Sequence, residues 1–178
     1  MKNQQFDLGA LIRACPDFPR PGILFRDINP VLRNYHALKY IAKEFYCRFR
    51  RRRIQAVAGI ESRGFIIATA IALKFGVGMI LVRKAGKLPG PTIRKAYNIE
   101  YGTSVMEIQK DAVENGQGIL VADDLIATGG TATAAAQLIE ELGGKVLGLG
   151  FVIELANLDG GQKLRNSGYK VDSLSVYY

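Results

Sequence analysis

Cysteine and histidine are scarce in this 178-residue chain, which holds two of the first and one of the second. Cys15 and Cys47 are too few and too scattered for a disulfide framework or a zinc site. Both read as small, half-buried apolar side chains. His36 precedes a helical pattern and reads as a structural residue near a helix N-cap. Long apolar runs are missing as well. The longest candidate, FIIATAIALKFG, is short and is broken by Lys74, so no membrane span is expected. The first residues, MKNQQFDLGALIRACPDF, lack the basic start, apolar middle and small-residue cleavage site of a secretory leader, which places the protein in the cytoplasm. Neither a Walker A loop nor G-x-G-x-x-G is present. Internal repeats, low-complexity tracts and domain linkers are also absent, and the length suits one ordinary domain.

What remains is a soluble globular composition, 48% hydrophobic and 22% charged. The formal charge of +8 admits nucleic acid, a membrane surface or a polyanionic small molecule as partner. Part of it is concentrated in RFRRRR, where Arg48 and Arg50 through Arg53 close an expected helix. Cations there suit the negative pole of the helix dipole. No aromatic interleaving or helix-turn-helix signal accompanies them, so a solvated helix end is the preferred reading and nucleic acid is not the expected partner.

Strand and helix patterns alternate. Residues 6–14 predict a short helix stopped by Pro16, and PDFPRPG a rigid connector. Residues 36–48 carry apolar groups at amphipathic spacing. IQAVAGI (54–60) and VGMILV (77–82) read as buried strands on either side of a helix closed by Gly76. Residues 83–98 are basic, hold two Gly and two Pro, and show no period. Two antiparallel strands around Gly102 follow, then a buried strand at 118–124 and a helix at 131–142. KVLGLGFVIEL predicts another strand, KLRN a helical turn, and VDSLSVYY the last strand. The fold class is therefore α/β, a mostly parallel central sheet flanked by helices. Ligands in such sheets bind beyond the carboxyl ends of the strands. ESRG, RKAGK and DDLIATGGT all fall there.

The last of these segments is the most informative. A helix N-terminus offers unpaired N–H groups and partial positive charge. Gly129 and Gly130 let the backbone approach a ligand, and Thr128 and Thr131 add hydroxyls, giving a phosphate cradle. Asp123 and Asp124 would repel a phosphate. They must face hydrogen-bond donors or positive charge, and either a ribose with free hydroxyls or a bound Mg²⁺ qualifies.

VADDLIATGGT resembles the signature of the type I phosphoribosyltransferases, which bind phosphoribosyl pyrophosphate. FPRPGILFRDI, GIESRGF, VRKAGKLPGPT, IEYG and EIQKD surround it in the order seen in the adenine-specific branch of that family, over about residues 11 to 177. The resemblance implies one domain, 1–178, with an N-terminal base-binding hood (1–35) and a flexible antiparallel lid (83–103). It implies a purine salvage reaction: transfer of the 5-phosphoribosyl group to N9 of adenine through an oxocarbenium-like state, giving AMP and pyrophosphate. Asp123 and Asp124 would hold the ribose hydroxyls, directly or through metal-bound water. Ala127, Thr128, Gly129, Gly130 and Thr131 would hold the 5′-phosphate. Glu61, Ser62 and Arg63 look like the pyrophosphate loop, where relatives have a non-proline cis peptide, and Arg63 is the cation expected near the leaving group or base. Arg83, Lys84 and Lys87 would supply charge for pyrophosphate. In dimeric relatives such residues reach the neighbouring subunit's site, so a homodimer is expected. Mg²⁺ would be bound through substrate and water, with no protein ligand set. Leu24, Phe25 and Arg26 resemble the adenine segment, with Phe25 stacking on the purine and backbone groups of the other two reading its edge. Glu100 is the candidate acid–base group, with Tyr101 beside it. One departure is Gly161, where many relatives have Arg. The competing readings are a transferase for another base, and a phosphoribosyl-pyrophosphate-sensing regulator that binds nucleic acid without catalysis.

Overall fold

A computed structural model of the chain describes residues 6–99 and 102–178. β1 (Arg13–Cys15) and β2 (Phe25–Asp27) come first, followed by α1 (Asn29–Leu32) and α2 (Tyr35–Phe49). β3 (Ala56–Ile60), α3 (Arg63–Phe75) and β4 (Gly78–Lys84) form a strand–helix–strand unit. β5 (Thr92–Ile99) and β6 (Gly102–Gln109) pair antiparallel. β7 (Gly118–Ile126), α4 (Gly130–Glu141), β8 (Lys145–Leu155), α5 (Gly160–Asn166) and β9 (Val171–Tyr177) complete the chain. The large sheet has the order β5-β6-β4-β3-β7-β8-β9, with β1 and β2 paired apart from it. From β4 to β9 the neighbours are parallel, while β6 runs antiparallel to both β4 and β5.

The central strands are apolar on both faces because both faces are covered. Ala56, Ala58 and Ile60 of β3 share one core with Ala135, Leu138 and Ile139 of α4. Val57 of β3 joins the opposite core with Ile41 and Phe45 of α2 and Ile67 and Ile71 of α3. Asn34 caps α2, its side chain accepting from the Ala37 amide at 3.1 Å. Gly76, at φ 71°, ends α3 as the sequence predicts. Two glycines of β8 let α2 lie close to the sheet. A Cβ on Gly150 would come 2.7 Å from the Phe45 ring, and one on Gly148 would meet Phe49.

Three expectations need correction. Residues 6–14 are not a helix: a 3-10 turn at Gly9–Leu11 leads into β1, which pairs with β2 through Arg13 and Asp27. Tertiary pairing overrides a weak helical pattern that contains Gly9 and stops at Pro16. β5 begins at Thr92, so half of the segment without a period is strand. β7 continues to Ile126, two residues past its expected end at 124, so Leu125 and Ile126 are strand and not loop.

The arginine run is partly structural. Arg48 lies 3.7 Å from Glu44 and 3.5 Å from Asp172, and donates to the Ser173 carbonyl at 3.3 Å. Arg52 donates to the Leu147 carbonyl at 3.0 Å. These two residues tie the end of α2 to β8 and β9. Arg50, Arg51 and Arg53 are exposed.

Gly150→Ala tests the seating of α2. The added methyl must push the Phe45 ring aside, and overpacking of this kind costs about 1–3 kcal/mol. Urea unfolding is expected to show that loss as a lower midpoint at unchanged slope.

Candidate active site

β3 passes the chain through α3 to β4 on one side, and its neighbour β7 passes it through α4 to β8 on the other. The connections diverge, which opens a crevice beyond the carboxyl ends of the two strands. Glu61, Ser62, Arg63, Lys84, Asp123, Asp124 and Thr131 line a cavity of about 420 Å³ there. A second cavity, of about 200 Å³, adjoins it and is formed by Asp123 and residues 125–132. The three segments singled out in the sequence thus meet in one place.

Asp124 is buried at 6% exposure. Arg63 Nε approaches its Oδ2 to 2.8 Å, but off the line of a hydrogen bond, so that buried oxygen keeps its acceptor capacity. Asp123 Oδ1 accepts the Asp124 amide at 2.8 Å. Burial, then the neighbouring Asp124 carboxylate, push the Asp123 carboxyl well above the usual range. The first turn of α3 makes room for the pair: a Cβ on Gly64 would sit 2.5 Å from Asp123 Oδ1.

The phosphate cradle follows directly. Gly129 adopts φ 86° as the N-cap of α4, a conformation open to glycine at no steric cost. The helix starts at Gly130 with Thr131 beside it, and the Thr133 hydroxyl donates to the Gly129 carbonyl at 2.9 Å. The N-terminus of α4 therefore opens into the smaller cavity.

Across the crevice the Glu61–Ser62 peptide is cis, as expected from the sequence. Glu61 faces the basic segment and not solvent. Its Oε2 accepts Arg83 Nε at 2.9 Å and the Lys84 amide at 3.2 Å, and Lys87 Nζ lies 3.8 Å from Oε1. Glu61 thereby gathers two of the three cations predicted for pyrophosphate, Arg83 and Lys87, and holds the third residue, Lys84, by its backbone. Arg63 reaches the other way, its guanidinium 5.4 Å from the centre of the Phe25 ring. Phe25 also meets Phe18 edge-on at 5.1 Å. Leu24 is exposed, and the Arg26 guanidinium lies 4.0 Å above the Tyr177 ring, which leaves only its backbone for ligand contact. The segment 24–26 is thus joined to the crevice through Arg63. Glu100 and Tyr101 lie outside the described residues.

The sequence matches the phosphoribosyl transferase domain over residues 31–176. It is 49% identical over 171 residues to the adenine phosphoribosyltransferase of Cenarchaeum symbiosum, covering 96% of this chain and 99% of that one. The crystal structure of adenine phosphoribosyltransferase from Thermoanaerobacter pseudethanolicus superposes with a TM-score of 0.91 at 44% identity, over 96% and 98% of the two chains. The Saccharomyces cerevisiae enzyme, complexed with an imino-altritol bisphosphate and adenine, gives 0.88 at 40% identity, over 94% and 96%. The chain belongs to the adenine phosphoribosyltransferase family.

Sequence reasoning missed several residues of this phosphoribosyltransferase site. Tyr97, Met106 and Leu125 also line the larger cavity. Glu107, within EIQKD, carries no role in the sequence reading, yet it is fully buried and gathers the segment 87–94 around itself. It accepts the Lys87 and Leu88 amides at 2.8 and 2.9 Å, Arg94 Nε at 3.1 Å and the Thr92 hydroxyl at 3.3 Å. The one available signal was a carboxylate between Met106 and Ile108 on an apolar strand, a position that demands partners. Burial alone would raise its pKa. The amides of Leu88, Gly86 and Lys87, with Arg94, outweigh that and hold the carboxyl down, from 4.5 to about 2.

A depressed folded-state pKa stabilises the protein above the unfolded value, and the contribution fades as pH falls through the folded one. For Glu107 the window runs from 4.5 down to about 2. Glu107→Gln is expected to lower the melting temperature at pH 7, with the gap to wild type narrowing below pH 4.5 in a melting series. A gap that is constant with pH would remove the charged-clasp assignment.

Proposed function

We propose that the chain transfers the 5-phosphoribosyl group of phosphoribosyl pyrophosphate to adenine, releasing AMP and pyrophosphate. The observation that carries this reading is the buried Asp123–Asp124 pair set directly beside the helix-start cradle, within one crevice. Carboxylates with spare acceptor capacity suit ribose hydroxyls, and the amides and hydroxyls of 127–131 suit a 5′-phosphate. Negative charge below the sugar favours the cationic anomeric carbon as the leaving group departs. Lys84 lines the opposite wall, with Arg83 and Lys87 held on Glu61 beside it, where a departing pyrophosphate needs cations. Phe25 offers an aromatic face for the purine, with Glu100 as the proton-handling group at its ring and Tyr101 alongside.

Mg²⁺ fits this site as a companion of the substrate. Among the described residues no three carboxylates, imidazoles or thiols converge to hold a metal. The unfilled Oδ2 of Asp124 can take a water of the ion or a ribose hydroxyl. When bound, the ion would neutralise pyrophosphate charge.

Residues 1–35 act in this reading as the hood over the base and 83–103 as the lid. Glu107 anchors the lid base while the tip closes over substrates. A homodimer has physical support in an apolar face: Ile66 and Leu73 of α3 are 46% and 77% exposed, and Leu81 of β4 is 39% exposed. No described helix is long and apolar enough to cross a membrane, and a purine salvage role places the protein in the cytoplasm.

The test is pyrophosphate release in Mg²⁺ with adenine, hypoxanthine, guanine or orotate, for which activity with adenine alone is expected. Asp123→Asn combined with Asp124→Asn should weaken phosphoribosyl pyrophosphate binding about tenfold or more, since charge-assisted hydrogen bonds are lost. Glu100→Ala should cut turnover while binding persists in calorimetry. Unchanged affinity in the first variant, or wild-type turnover in the second, would sink the corresponding role.

A further inference from the structure

Two consecutive glycines, Gly160 and Gly161, open α5 on the far side of the phosphate cradle, and each leaves space for something different. The Gly160 amide donates to the Ala127 carbonyl at 3.0 Å. A Cβ on Gly160 would collide with that carbonyl and come 2.6 Å from the Gly129 nitrogen, so the start of α5 and the cradle meet backbone to backbone. A Cβ on Gly161 would run into the Glu154 carboxylate. That carboxylate, 5% exposed at the end of β8, takes both prongs of the Arg165 guanidinium at 2.8 and 2.7 Å and the Ser173 hydroxyl of β9 at 2.6 Å. A planar two-bond fork fixes orientation as well as distance. Arg165 and Ser173 both favour the ionised carboxylate and hold the Glu154 carboxyl below its ordinary range.

The link to the ligand lies in one peptide plane. In a trans peptide the C=O and the following N–H point in opposite directions. Holding the Ala127 carbonyl toward Gly160 therefore turns the Thr128 N–H away from α5, toward the cavity that Ala127 and Thr128 line. We infer that Glu154 and Arg165 are positioning residues for sugar-phosphate binding, because their two-bond fork on the buried Glu154 carboxylate bolts α5 in the place from which Gly160 aims the amides of the phosphate loop. The inference rests on the assignment of 127–131 to the 5′-phosphate. Neither residue lines the crevice. They act only through the loop, so their loss should fall on the phosphorylated substrate and not on the base or the chemical step.

Steady-state kinetics of Glu154→Gln and Arg165→Lys separate this from a general loss of stability. The expected result is a KM for phosphoribosyl pyrophosphate raised on the order of tenfold, with kcat and the KM for adenine within about twofold of wild type. Ribose 5-phosphate binding by calorimetry should weaken by the same factor. Gly160→Ala, which leaves the Glu154–Arg165 ion pair intact, should reproduce the pattern and serves if the other variants do not fold. An unchanged KM for phosphoribosyl pyrophosphate in a folded variant would overturn the inference, and so would a parallel rise in both KM values. If wild type fails to turn over with adenine, the reaction assignment falls, while the ribose 5-phosphate measurement still decides the positioning role.

Discussion

Two carboxylates side by side at the buried end of a central strand repel one another, and much of this structure answers that repulsion. At the separation of neighbouring side chains, like charges cost about 1 kcal/mol in water and several times more where solvent is thin. Arg63 meets Asp124, and Gly64, having no side chain, leaves room for Asp123. Both come from the loop and first turn after β3, the strand adjacent to β7. The parallel pairing of these two strands is therefore what brings the compensating cation to the pair. A sheet ordered otherwise would leave the acids uncompensated.

The same economy of elements explains which parts of the molecule could be read from the sequence. Strands 3, 7 and 8 declare themselves as unbroken apolar runs, because burial on both faces leaves no polar alternation to confuse, and β4 reads the same way although its Leu81 is exposed. The helix 130–141 and its glycine-rich start are equally plain, since the left-handed backbone at Gly129 calls for glycine. The N-terminal segment was misread because its structure is decided by partners distant in sequence. Arg13 pairs with Asp27, and Leu8 and Ile12 are buried in the core shared with α2 and α3. No local period records such contacts. Both aspartates were legible at the end of β7, but the strand runs two residues further than expected, for nothing in the sequence shows how far the ladder with β8 extends.

Second-rank residues were the hardest to see. Glu107, Glu154 and Arg165 touch no expected ligand atom, and in sequence each looks like an ordinary charged residue. Only the fold reveals that Glu107 and Glu154 are buried, and a buried charge must be surrounded by donors to persist. Glu107 collects donors from 87, 88, 92 and 94, and Glu154 from 165 and 173. Each thereby converts a desolvation cost into geometric order, one for the segment 87–94 and one for the start of α5 beside the loop at 127–129.

Glu61 has a quieter consequence. By engaging Arg83, the Lys84 amide and Lys87, it supplies these groups with an internal counterion before any ligand arrives. A visiting anion must outcompete a carboxylate already in place, so a chloride, acetate or single phosphate gains little by entering. A ligand bearing several adjacent negative charges gains much more. The wall thus behaves as an electrostatic threshold, quiet toward the sparsely charged solutes that crowd a cell and responsive to a densely charged one.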